Sequence, residues 1–461
     1  MNCKNVSICA STFAGILIYI EYGIILAWNS PTLDKFRSNN TEINPLGEPI
    51  SALQLSICTS IFPVSSIVTS MGVAKLPDIF GRRTTLICTA LLGFTSFIAM
   101  GFVNNIWAYC FVQFLSCLSV SAGMIVTPTY LSEISKTQNR GMLSSTCSLG
   151  KTVGQLYIFV LVLGTNFQSL SFCCVVPYLI LILLSFYLQE SPIFLWMQGK
   201  SDRAINTMKK LNRSSSLNEL EQETREKQAI LRSANANTKN SLQILFGTPA
   251  GRRALFLTMV VRGLSAFTGA YVILSFLGDF LREPTHLKIS AGVIAVILII
   301  TKIMTALFSV VFVDKFGRRI FMLTGTFLLS VSLFILGFYY FFKEKNAIIP
   351  DNVKLIPVIF VFVFFIGYTM SFSGVSFALL SEILPNEARS IGTGFIAFVT
   401  DFCILLQTLG YPLVSKYFGV HYFMFFYGVF TIIGFVLCLI FLPETKGKTF
   451  SEIRTILESR K

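Results

Sequence analysis

A chain of 461 residues with 53% apolar and only 13% charged residues, and a mean hydropathy of +0.69, is not a soluble globular domain, which carries about twice that share of charge. Its 45 Phe residues suit a lipid-facing surface, so the chain reads as an integral membrane protein. The net charge of +14 does not indicate nucleic-acid binding, because Lys and Arg gather in loops on one side of the membrane.

Crossing about 30 Å of hydrocarbon takes about 20 apolar residues per helix. In chain order such runs lie at 8–28, 52–74, 84–103, 106–130, 143–164 and 169–188, then at 254–277, 288–313, 320–342, 355–380, 391–414 and 421–442. The first run follows no basic n-region and no small-residue cleavage site, so it is expected to stay as a span. The long polar stretch 189–253 divides the two sets. The predicted organisation is an N-terminal six-helix bundle over 1–188, a linker with short helices over 189–253, a second six-helix bundle over 254–442, and a tail over 443–461. The basic residues of the linker, together with Arg82, Arg83, Lys136, Arg140, Arg318, Arg319, Lys446 and Lys448, fall on one side if the spans alternate. The positive-inside rule makes that side cytoplasmic, with both termini on it. Asn39-Asn40-Thr41 then lies in the first outer loop, where Asn39 is open to glycosylation.

Eleven Cys sit mostly inside apolar runs and read as small packing residues, and the two His form no cluster. No nucleophile, metal or nucleotide motif appears, so neither an enzyme nor a cofactor is expected. The expected partners are the lipid bilayer and a small-molecule substrate, with the chain acting as a monomer.

One short motif occurs twice. Asp78-Ile79-Phe80-Gly81-Arg82-Arg83 returns 236 residues later as Asp314-Lys315-Phe316-Gly317-Arg318-Arg319, each copy set between two apolar runs. A repeat at half the chain length, with basic residues at a membrane boundary, points to a duplicated membrane fold and so to a transporter.

Six spans, a linker and six spans, with the motif in both halves, resembles the major facilitator superfamily. Smaller motifs narrow the resemblance to the sugar porters. Pro128-Thr129-Tyr130-Leu131-Ser132-Glu133 ends the fourth run and precedes Arg140-Gly141. Glu190-Ser191-Pro192 ends the sixth, with Gln189 in place of that family's first proline. Ser381-Glu382-Ile383-Leu384-Pro385 ends the tenth, before Arg389, and Pro443-Glu444-Thr445-Lys446-Gly447-Lys448 ends the twelfth. Together with Ala27-Trp28-Asn29-Ser30-Pro31, these look most like the insect facilitated trehalose transporters. The resemblance implies an all-α fold of twelve transmembrane helices in two six-helix bundles, with cytoplasmic linker helices, in the plasma membrane. It also implies facilitative transport of a sugar, trehalose or a hexose, by alternating access. Acid and Arg groups at the inner helix ends predict an ion-pair network of Asp78, Arg82, Arg83, Glu133, Arg140 and Glu190. Its counterpart in the second half is Asp314, Arg318, Arg319, Glu382, Arg389 and Glu444. Such a network would hold the inner side closed and part when that side opens.

The substrate positions depart from the sugar-porter pattern. The family's span-5 glutamine falls on Ser148, its span-8 asparagine on Lys302, and its span-4 arginine on Gln113. Its span-7 polar motif reads Arg262-Gly263-Leu264-Ser265-Ala266-Phe267-Thr268, and its span-10 tryptophan falls on Phe377. The candidate substrate contacts are Ser148, Lys151, Arg262, Ser265, Thr268, Lys302, Thr369 and Phe377. At 1.5 Å rise per residue, Lys151, Arg262 and Lys302 lie roughly 13–18 Å from their membrane boundaries, near mid-depth. A charge there costs at least about 3 kcal/mol and faces a partner or a cavity. Three readings stay open: Glu21 of the first span pairs with one of the cations, the cations recognise an anionic substrate, or they donate hydrogen bonds to a neutral sugar. A cation beside Glu21 would argue against its use as a proton carrier. An organic-anion carrier and a non-transporting sugar sensor are the alternative functions. Among the second-half aromatics Phe267, Tyr271, Phe377 and Tyr411, only Phe377 is expected to face a sugar ring.

Overall fold

The computed structural model describes residues 3–40, 43–72, 75–134, 140–210, 246–281, 290–345, 350–372 and 389–442. All regular structure among them is helical. The first half holds α1 (Cys3–Phe36), α2 (Ala52–Gly72), α3 (Leu76–Phe80), α4 (Arg82–Met100), α5 (Ile106–Ile134), α6 (Arg140–Val162), α7 (Phe167–Cys173) and α8 (Val175–Ser185). Two short helices follow, α9 (Pro192–Met197) and α10 (Ser201–Lys210). The second half holds α11 (Pro249–Phe267), α12 (Ala270–Ser275), α13 (Leu277–Leu281), α14 (Ala291–Phe316), α15 (Arg318–Glu344), α16 (Ile356–Phe372), α17 (Arg389–Tyr417) and α18 (Val420–Phe441). Among the described residues, eleven helical stretches are long and apolar enough to cross a membrane. The remaining expected span lies in α6, whose described apolar part is Leu149–Val162. Helices suit this setting because each satisfies its own backbone hydrogen bonds where water is absent.

Three helices differ from the simple runs in the sequence, each for a visible reason. The first was expected to end at residue 28, yet α1 continues to Phe36 through Pro31. Its polar end is absorbed by bonding: Thr32 Oγ1 donates to the Trp28 carbonyl at 2.7 Å, and Asn29 and Arg37 find distant partners, described below. The sixth run divides into α7 and α8 around Cys174. Pro177 has no N–H to offer the Cys173 carbonyl four residues back, and the Tyr157 hydroxyl of α6 donates to that carbonyl instead, at 2.7 Å. The seventh run breaks after Phe267, where Gly269 adopts φ +71° and restarts the chain as α12. A side chain at Gly269 would also strike the Tyr427 ring, with a Cβ only 2.4 Å from it. Both conformation and space require glycine there.

Packing divides the described residues into two compact units. The first takes those within 1–25, 65–161 and 165–238, and the second those within 26–64, 162–164 and 239–461. In the first, α1 and α6 touch backbone to backbone: a Cβ on Gly23 would sit 1.9 Å from the Lys151 carbonyl oxygen, and one on Gly154 would sit 2.0 Å from that of Ile20. Small residues allow this approach, which gains dispersion energy where lipid offers no hydrophobic drive. Beside that seam Ile18, Leu86, Val126, Tyr130 and Leu181 form a buried cluster. The second unit joins the ends of α1 and α2 that lie away from the repeated motif to the C-terminal helices.

Candidate functional site

Both copies of the repeated motif fold the same way. Gly81 has φ +96° and ψ +159°, and Gly317 has φ +96° and ψ +155°. Each glycine turns the chain from the end of one helix into the start of the next, a turn that L side chains rarely adopt. The second arginine of each copy then reaches a helix C-terminus. Arg83 Nη2 donates to the Ser185 carbonyl of α8 at 3.1 Å, and Arg319 Nη2 donates to the Leu439 carbonyl of α18 at 2.7 Å. Carbonyls in a last turn lack partners within their own helix, so a guanidinium suits them.

In the first unit, Arg82 is the centre of the motif. Its Nη2 lies 2.9 Å from Asp78, and its Nε lies 3.1 Å from Glu133 Oε2. Nη2 also donates to Glu133 Oε1 at 3.4 Å, while Nη1 donates to the Pro77 carbonyl at 3.1 Å. The Nε–Oε2 approach is close but off the N–H axis, so it acts as charge attraction rather than as a hydrogen bond. The Phe194 ring covers the guanidinium, 5.1 Å from its centroid. Arg82 and Glu133 are buried, whereas the Asp78 side chain is 54% exposed.

Glu190 takes part differently from the expected pairing with arginine side chains. Its Oε1 accepts backbone N–H groups from Arg82 at 2.9 Å, Arg83 at 3.2 Å and Ser191 at 3.0 Å. The carboxylate therefore caps the N-terminus of α4, where unpaired N–H groups and the helix dipole favour negative charge. Glu382 and Glu444 lie outside the described residues, as do the side chains of Arg140, Asp314 and Arg389. Arg318 follows Gly317 at the start of α15.

In the second unit a cation of α14 meets a face of α16. Lys302 of α14 is buried, with Nζ 4.8 Å above the Phe365 ring centroid of α16. Arg262 is half-buried on α11 of the same unit. Phe365, Tyr368, Thr369 and Phe372 recur at helical spacing on α16 and share one face. This stripe was readable in the sequence, but its meeting with Lys302 was not. The expected hydroxyls bond within their own helices. Ser265 donates to the Arg262 carbonyl at 2.6 Å, Thr268 to that of Ser265 at 2.9 Å, and Thr369 to that of Phe365 at 2.7 Å. Each oxygen keeps lone pairs that can accept from a ligand.

The other candidates are placed as follows. Lys151 is half-buried in α6 of the first unit. Ser148 also lies in α6, its side chain outside the described set, and Phe377 is outside it entirely. Glu21 is buried in α1, and among the described residues it forms no ion pair and its Oε1 has no hydrogen-bond partner. Phe267 stacks on Phe430 at 4.7 Å, and Tyr411 packs between Phe276 and Phe423, so both are packing residues. Asn39 is exposed.

The end of the second unit opposite the repeated motif holds long-range contacts that no local pattern marks. Arg37 Nη1 contacts both carboxylate oxygens of Asp279 at 2.8 Å. Deeper in, Asn29 donates to the Tyr271 hydroxyl at 3.3 Å, and that hydroxyl donates to the Thr59 carbonyl at 3.3 Å. Ser60 and Thr408 hydroxyls meet at 3.0 Å. A cavity of about 510 Å³ lies beside the ion pair, bordered by Ser51, Tyr340, Tyr411 and Lys416.

Comparison with known proteins adds three findings. The sequence profile of the family described as "Sugar (and other) transporter" matches residues 9–457. The chain is similar to facilitated glucose transporter member 6 of Mus musculus, with 22% identity over 99% of this chain and 93% of that one. It is also similar to a facilitated trehalose transporter of Polypedilum vanderplanki, with 23% identity over 95% of this chain and 85% of that one. Among solved structures, the inward-open xylose transporter XylE from E. coli superimposes with a TM-score of 0.77 at 18% identity, covering 97% of this chain and 99% of that one.

Proposed function

This chain belongs to the sugar (and other) transporter family and has the major facilitator fold, and from that premise we propose that it carries a neutral sugar, trehalose or a hexose, by facilitated alternating access. The observation that carries the substrate reading is the α16 face: a buried Lys302 over Phe365, with Tyr368 and Thr369 one turn on. An aromatic surface packs against the apolar face of a sugar ring. Lys and Arg donate hydrogen bonds to its hydroxyls, and Thr and Ser oxygens accept from them. Lys302 has the Phe365 ring below it, which steadies the ammonium on this face. Ser265, Thr268 and Lys151 would complete the contacts.

The repeated motif supplies the gate on its own side. Arg82, Glu133 and Asp78 tie α3, α4 and α5, Glu190 fixes the start of α4, and Arg83 and Arg319 tie helix ends in each half. We assign this end to the cytoplasm on the positive-inside rule. The termini then lie inside, Asn39 lies outside as a glycosylation site, and the protein works in the plasma membrane as a monomer without a cofactor.

Radiolabelled uptake into oocytes tests the reading, with trehalose, glucose and a panel of acidic metabolites, and with current recorded in parallel. Saturable, current-free uptake of trehalose or a hexose is the expected result. Uptake confined to acidic metabolites would make the chain an anion carrier, and sugar binding without flux would make it a sensor. A sugar-evoked proton current lost in Glu21→Gln would replace facilitated transport with symport.

A further inference from the structure

We propose that Arg37 and Asp279 form a gating ion pair that sets how long the end opposite the repeated motif stays closed. The proposal rests on the transport reading above and adds working residues that none of the motifs marks. Two rungs join the first span to the broken seventh. Arg37 meets Asp279, and eight residues earlier on each chain segment Asn29 meets Tyr271. Both rungs join residues 242 apart, so the two segments run side by side in one register over roughly 12 Å of helix. Beneath them Ser60 meets Thr408 and the Tyr271 hydroxyl meets the Thr59 carbonyl, which brings α2 and α17 into the same closure. Asp34 lies against Gly278, where a Cβ would come within 2.2 Å of its carboxylate, so α1 approaches the α13 backbone directly.

The two rungs differ in kind. Asn29, Thr59, Ser60 and Thr408 are buried, and they fit together only when the segments are in contact. Arg37 and Asp279 keep 30% and 36% of their side-chain surface exposed and border the 510 Å³ cavity. A pair that stays hydrated is weak, which suits a contact that must break in every cycle. The guanidinium also lies near the Phe276 ring of the same segment, 5.6 Å from its centroid, so the closed contact joins Arg37 to both Asp279 and Phe276. Loss of the pair should shift the closed–open balance about two- to fivefold toward open, the size expected of a partly exposed pair.

The test uses the full chain in vesicles and does not require a transported sugar. A cysteine replacing buried Ser60 reports opening, through its rate of labelling by a membrane-impermeant maleimide above the parent background. The reagent is applied from the face that labels Asn39→Cys, which removes any dependence on the orientation assigned above. Arg37→Asp, Asp279→Arg and the isosteric Asp279→Asn should each raise the Ser60→Cys labelling rate about two- to fivefold. The exchanged pair, Arg37→Asp with Asp279→Arg, should return it to the parent rate. Raising ionic strength toward 1 M should speed labelling in the parent and leave Asp279→Asn unchanged, because screening acts only where both charges are present. Unchanged labelling in all three single variants, or an exchanged pair that labels as fast as they do, would overturn the proposal. If labelling follows the expected pattern while no sugar is taken up, the gate stands and the substrate assignment fails.

Discussion

Removing Arg82 should cost far more than removing either of its partners' exposed contacts, and the structure says by how much. Arg82→Ala takes the guanidinium away from the buried carboxylate of Glu133, only 4% exposed. Breaking a buried pair from one side costs about 3–5 kcal/mol, which is two orders of magnitude or more in an equilibrium constant. The Asp78 side chain is 54% exposed and pairs at i, i+4, so Asp78→Asn should cost about 0.3–1 kcal/mol. Replacing both members, as Arg82→Ala with Glu133→Gln, removes the buried carboxylate charge as well and should recover part of the loss. The assay is thermal unfolding in detergent, paired with uptake Vmax normalised to surface expression. Arg82→Ala should lower the unfolding midpoint markedly, Asp78→Asn barely, and the double variant should fall between them. Because the gate is lost in both Arg82 variants, Vmax should fall about tenfold or more in each while surface expression persists. The reasoning is refuted if Asp78→Asn destabilises as much as Arg82→Ala, or if the double variant is no more stable than Arg82→Ala alone.

Two further outcomes follow from the second unit. Gly269→Ala should cost about 3 kcal/mol or more and abolish uptake, since it combines a left-handed backbone with a Cβ 2.4 Å from Tyr427. Gly263→Ala, whose Cβ would meet nothing within 4 Å, is the control and should unfold at or slightly above the parent temperature. Lys302→Met should raise the KM for the transported sugar about tenfold if the ammonium donates to a sugar hydroxyl, given about 1.5–3 kcal/mol for a charged hydrogen bond. An unchanged KM would assign Lys302 to helix packing over Phe365.

The repeated motif shows how much of the site could be read in advance. Its acids and arginines were legible as a group because ionisable side chains are costly in a membrane and stand out against apolar runs. Their individual partners were not legible. Glu190 was expected to meet guanidinium groups and instead caps α4 through backbone N–H groups, while Arg83 reaches a carbonyl rather than an acid. A Glu21–cation pair was one of three readings left open, and Glu21 forms no ion pair among the described residues. The stripe Phe365, Tyr368, Thr369 and Phe372 lay open in the helical spacing, yet nothing local said which helix would face it.

The sequence by itself determined the helical membrane architecture and the doubling of its glycine–arginine motif. These follow from bilayer thickness and from the cost of leaving backbone groups unbonded in lipid, which act on every 20-residue run separately. Only the tertiary structure decided where the seventh span breaks, that Lys302 lies over Phe365, and that Arg37 meets Asp279 across 242 residues. Those depend on the register between helices. Contacts such as Gly23 on the Lys151 carbonyl and Gly269 on Tyr427 set that register, and local patterns carry no record of it.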